Sequence, residues 1–181
     1  MGTRSFIAKQ IGDDQYLTIF CHFDGHPEDN GATLVQHYNT PEQVDALLAL
    51  GDLYYLREEI APAPGVPHEH DSAQPGVTIA YQRDEGWTGC EAKIMALEEI
   101  DDPGLDGVEF TYIFSSDGQW LYFPTGEAEC GIRNVKADLD ADTVQYGAFY
   151  TEFEEKLGLA DDEPDELQKD ITLTQIQGGM M

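Results

Sequence analysis

His22, Asp24 and His26 stand at alternate positions, so an extended segment turns all three side chains to one side. Two imidazoles and a carboxylate at that spacing are a ligand set for zinc or a similar ion. Gly25 and Pro27 bend the chain where those ligands would converge, so the same residues also read as a polar strand end closed by an Asp24-Gly25 turn. A second group, His68-Glu69-His70-Asp71, follows a proline-rich run. Neighbouring side chains in a loop are a poorly preorganised ligand set, and a polar surface loop accounts for them. Cys21, Cys90 and Cys130 are too far apart for a zinc ribbon and read as reduced thiols. The sequence holds no HExxH, no P-loop and no GxSxG elbow. Spacing groups no nucleophile with a base and an orienting residue. The expectation is a protein that is not an enzyme and takes no metal or cofactor.

What remains as chemistry is carboxylate. The 181 residues carry 36 Asp and Glu against 9 Lys and Arg, a formal charge of −27. Asp138, Asp140 and Asp142 alternate, and an extended stretch would set them on one side about 6.6 Å apart. Glu152 and Glu155 share a helix flank at i, i+3, and Asp161-Asp162-Glu163 follow. Rows of negative charge at this spacing resemble a nucleic-acid backbone. Solvated acidic surface, or a proteome that is acidic throughout, explains the charge as well, although not its bunching in the last third. The eight carboxylates from Asp138 to Glu163 just named are the predicted partner-binding set. Their partner would be a basic protein; nucleic acid and anionic membranes are disfavoured by the same charge.

Hydrophobics at 41% and aromatics at 10% are enough for a core to hold those groups. Ser5–Ile11 and Tyr16–Phe23 alternate around Gly12-Asp13-Asp14-Gln15, a hairpin in which Phe6 and Ala8 share one face and Ile7 and Ile11 the other. A helix is predicted near Asp29–Tyr38. Thr40-Pro41-Glu42-Gln43 is a capping box, with Val44, Leu47 and Leu48 as the buried stripe and Gly51 as the stop. Asp52 is expected to cap a further helical turn that buries Leu53, Leu56 and Ile60. Val77–Tyr81 reads as strand, and Gly89–Ile100 as a strand with an acidic turn or as a short helix. Glu109–Ser115 and Gln119–Phe123 form a second hairpin, with Asp117-Gly118 signalling a type I′ turn. A last helix, Thr143–Leu157, would start at Asp142 with Gln145 at its third position. The predicted fold is one α+β domain over residues 1–159, an antiparallel sheet from two or more hairpins with two to four helices on it. Residues 160–181 are predicted to be an acidic, partly flexible tail.

The N-terminal third also resembles a known group. Gly2-Thr3-Arg4-Ser5, the stretch Cys21-His22-Phe23-Asp24-Gly25-His26-Pro27-Glu28, Gly31, His37-Tyr38-Asn39 and Leu50-Gly51-Asp52 are similar to small phage and prophage proteins. Such proteins open with Thr-Arg-Ser and carry His-x-Asp-Gly-x-Pro-Glu. The resemblance spans residues 2–60, with a weaker echo at Ser116–Tyr122. Some small acidic phage proteins are anti-CRISPR or other anti-defence factors. The resemblance therefore implies a cytoplasmic, phage-encoded inhibitor acting in the host cell. Combined with the charge, it predicts a DNA mimic that enters the basic channel of a CRISPR effector and blocks target DNA. Two alternatives stay open: an inhibitor of another DNA-binding defence protein such as a restriction enzyme, and a small metal- or nucleotide-binding protein or enzyme built on His22, Asp24 and His26.

Overall fold

The computed structural model describes residues 2–147, which form an α+β unit around one mixed sheet. Strand β1 (Ser5–Gly12) and strand β2 (Gln15–Cys21) make the first hairpin, closed by Asp13 and Asp14 with Asp14 at φ 51°. After a five-residue wide turn at Pro27–Gly31 come helices α1 (Ala32–His37) and α2 (Pro41–Leu48). Strands β3 (Leu53–Tyr55) and β4 (Ile79–Ala80) precede α3 (Tyr81–Glu85). Then follow β5 (Lys93–Met95) and α4 (Leu97–Ile100). The second hairpin, β6 (Phe110–Phe114) and β7 (Trp120–Pro124), leads to β8 (Arg133–Asn134) and α5 (Val135–Ala141).

The order across the sheet is β4-β3-β2-β1-β6-β7-β8. Most pairs are antiparallel, but β1 lies parallel to β6, with Ser5 opposite Phe110 and Lys9 opposite Phe114. The outer edge of β2 is shared: β3 pairs in parallel with its end at Cys21, and β5 runs antiparallel along Tyr16–Thr18. Alternation divides the core between the two faces. Ile7, Ile19, Tyr112 and Tyr122 pack with Leu34, Val44, Leu47, Leu48 and Val135 from α1, α2 and α5. Phe6, Ala8, Ile113 and Phe123 face the other way, against Ile100 and Val108.

The capping box forms as expected: the Thr40 hydroxyl accepts from Gln43 N at 3.3 Å, and Gln43 Oε1 accepts from Thr40 N at 3.1 Å. Gly51 ends that region at φ 74°, where an added Cβ would lie 2.1 Å from the Cys90 carbonyl oxygen. Three expectations are corrected. The turn predicted to follow Asp52 is strand β3, because Leu53 pairs with both Cys21 and Ala80 while the Asp52 carboxylate accepts from Phe20 N at 2.8 Å. The second hairpin closes through Ser115 and Gln119 around a three-residue loop in which only Gly118, at φ 77°, is left-handed. That is a type I turn with a glycine bulge rather than type I′. Residues 143–147 are not helical, and Asp142 at φ 54° terminates α5 instead of starting a new helix. The remainder of that predicted helix, the 159/160 boundary and the tail lie outside the described residues, as do Glu152, Glu155, Asp161, Asp162 and Glu163.

Candidate partner-binding surface

Helix α5 is started by Asn134, whose side-chain oxygen accepts from Ala137 N at 2.9 Å. A helix turns about 100° per residue, so Asp138, Asp140 and Asp142 do not form the row predicted for an extended chain. Asp138 is buried. Its carboxylate accepts from the Tyr122 hydroxyl at 2.8 Å, from Arg133 Nη2 at 2.8 Å and from the Thr143 hydroxyl at 3.2 Å, with Arg133 Nε also donating. Arg133 holds the Asp138 carboxyl below the usual carboxylate range, with burial opposing it. The Tyr122 hydroxyl is pushed up to about 12, first by burial. Asp138 is thus an internal anchor and is withdrawn from the predicted contact set. Asp140 is exposed and paired with Lys136, and Asp142 is exposed at the helix end.

The histidine groups do not converge either. His22 Nδ1 lies 2.7 Å from the Tyr81 hydroxyl, Asp24 accepts from Arg57 Nη1 at 2.9 Å, and His26 Nε2 lies 2.7 Å from the Thr3 hydroxyl. Each of the three is bound to a different part of the fold. His68 is buried: its Nδ1 accepts from Gln74 N at 3.1 Å, which leaves Nε2 to donate to the Thr78 carbonyl at 3.1 Å. His70 is exposed beside Asp71. Among the described residues, no three His, Cys, Asp or Glu are arranged to hold a metal ion.

The structure instead assembles an acidic edge that the sequence reading did not single out. Asp14 Oδ1 accepts from Leu97 N at 2.8 Å, tying the β1–β2 turn to the start of α4. Glu99 accepts from Ala96 N at 2.8 Å and Asp102 from Gly104 N at 2.8 Å. Asp101 Oδ1 accepts from Gly126 N at 2.6 Å and from Ala128 N at 3.3 Å, joining this segment to the chain after β7. Around these ties Asp13, Asp14, Glu98, Glu99, Asp102 and Asp106 are exposed. The signal lay in Glu98-Glu99 and Asp101-Asp102, which the sequence presents only as an acidic turn. What it could not give is the tie between Asp14 and Leu97 N, which joins segments more than eighty positions apart.

A second surface is aromatic. Rings from the end of β2, from β3, from the 70s loop and from α3 form a contact chain. Phe23 stacks on Tyr55 at 4.7 Å, Tyr55 lies 6.0 Å from His70, His70 4.8 Å from Tyr54, and Tyr54 stacks on Tyr81 at 4.0 Å. Trp87 continues the chain at 5.2 Å from Tyr81 and is 55% exposed. The Arg57 guanidinium sits 4.8 Å above the Tyr55 ring, beside an open cleft of about 230 Å³ that reaches His70 and Gln74.

No family model, curated protein or solved structure matches the chain. Residues 2–147 hold seven Lys and Arg against 27 Asp and Glu, a balance of −20. Five of those seven cations are engaged in ion pairs: Lys9 with Asp45, Arg57 with Asp24, Arg83 with Asp84, Arg133 with Asp138 and Lys136 with Asp140. Little positive charge is left to offset the acids outside. No helix among the described residues is long and apolar enough to cross a membrane.

Proposed function

We propose that this protein is an acidic mimic of nucleic acid, of the anti-CRISPR type, that occupies the basic channel of a host CRISPR effector and excludes target DNA. The observation that carries the reading is the balance of −20 over residues 2–147 with most of their cations already paired internally. A channel built to hold a heteroduplex reads backbone charge and shape, so a rigid acidic surface meets the same lysines and arginines. The first contacts are the acidic edge, Asp13, Asp14, Glu98, Glu99, Asp102 and Asp106. Asp140 and Asp142 add to it, together with Glu152, Glu155, Asp161, Asp162 and Glu163 further along the chain. Asp138 is internal and contributes to the fold alone. The same charge argument supports action on another DNA-binding defence protein such as a restriction enzyme; capture from host extract with graded salt washes separates the two.

Competition with a matched DNA target tests the reading. Inhibition is expected when the protein precedes the DNA and is lost when DNA is bound first. It should also weaken as salt rises, because exposed charges are screened over about 8 Å at physiological ionic strength. Inhibition that persists against pre-bound DNA, or that ignores salt, rejects channel mimicry.

A further inference from the structure

The aromatic surface is not explained by charge mimicry, since duplex DNA presents its phosphates and not ring faces. Tyr54 and Tyr81 stack with their planes 30° apart, and the Tyr81 hydroxyl is tied to His22, which fixes the ring. Trp87 and His70 flank that pair, Trp87 with 55% of its surface open. Two carboxylates lie beside His70. Glu85 accepts from His70 N at 2.6 Å, and the Asp71 side chain, 3.2 Å from His70 Nδ1, is 99% exposed.

We infer that the exposed ring of Trp87, backed by the buried Tyr81 and its stack with Tyr54, seats a planar cation, an arginine guanidinium carried by the basic partner. The inference rests on the reading of the protein as a binder of a basic partner and names the side chain its aromatic surface takes. Electron-rich ring faces attract cations, and a guanidinium stacks on them while an ammonium stays hydrated. The fold already contains the arrangement: Arg57 lies over Tyr55 and pairs with Asp24. Arg57 covers the other end of the ring chain, over Tyr55. The cation seat is therefore the end at Trp87, where Glu85, two positions before it, supplies the opposite charge. A nucleobase would also stack, but a chain of −27 repels the phosphates attached to it.

The experiment titrates the full chain with an alternating Gly-Arg peptide and a Gly-Lys peptide of the same length. It follows calorimetry together with tryptophan emission, which reports Trp87 because Trp120 is buried. The Gly-Arg peptide is expected to bind more tightly and to shift the emission. Trp87→Ala should weaken it roughly fivefold, the equivalent of an exposed cation–π contact, and Trp87→Tyr should restore most of that loss. Asp102→Asn with Glu98→Gln, at the separate acidic edge, should weaken both peptides alike. If the two peptides bind equally and Trp87→Ala changes neither, the cation seat is overturned while the acidic reading stands. If neither peptide binds, the acidic reading falls and takes the seat with it. Saturation of the emission change by a thymidine oligonucleotide, or a dimer abolished by Trp87→Ala, also overturns the seat.

Discussion

Asp138 and Asp102 are the same residue in opposite settings. Asp138 is enclosed between α5 and β7, takes hydrogen bonds from Arg133, Tyr122 and Thr143, and has its charge matched. Asp102 bonds one backbone N–H of its own loop and otherwise faces water among other acids. One carboxylate holds the fold together; the other leaves its charge available at the surface. Counting acids along the chain cannot separate the two, because the difference lies in which strand or helix each one faces.

The largest effects belong to the enclosed side. Tyr112 is fully buried next to Tyr122, and its hydroxyl donates to the Gly25 carbonyl at 2.7 Å. Tyr112→Ala is expected to cost about 3–5 kcal/mol by chemical denaturation, through a cavity and an unpaired carbonyl. Asp138→Asn comes next at about 2–3 kcal/mol, since it leaves Arg133 without its charge partner. Its pH dependence follows from the depressed carboxyl. The stability Asp138 contributes is complete above the ordinary carboxylate range and is lost as pH falls through its lowered value. The denaturation midpoints of wild type and Asp138→Asn should therefore differ at neutral pH and converge in strong acid. A difference that does not change with pH would break the contrast from this side.

The acidic edge gives smaller effects. Asp101→Ala should cost about 1 kcal/mol, because it frees the N–H groups of Gly126 and Ala128. Asp102→Asn together with Glu98→Gln should move stability by less than about 0.5 kcal/mol, yet weaken salt-sensitive partner binding. A loss of stability there as large as that of Asp138→Asn would show that the edge is part of the frame.

Local chemistry made much of the frame legible. The Thr40 capping box, the alternation of Phe6 and Ala8 against Ile7, and the aromatic second hairpin are each written in neighbouring residues, and each forms. Long-range pairing was not legible. Leu53 has a helix-compatible context but is drawn into a strand by Cys21 and Ala80, and the alternation of Asp138, Asp140 and Asp142 has one meaning in a strand and another in a helix. The acidic edge and the aromatic surface escaped for the same reason. Each gathers short segments that only the folded sheet brings together, as when Tyr54 meets Tyr81 and His70.

The parallel pairing of β1 with β6 also constrains how the chain comes to be. The first hairpin can close within the opening residues, but the inner edge of β1 waits for Phe110–Phe114 before its backbone groups find partners. Closure of so long a loop raises the contact order and slows folding. During synthesis, at ~5–20 residues per second, the β1 edge stands open for several seconds. A nascent chain halted before Phe110 exposes a strand rich in Phe6 and Ile7 to any neighbour able to pair with it. The centre of the sheet is thus sealed only once well over half of the chain has been made.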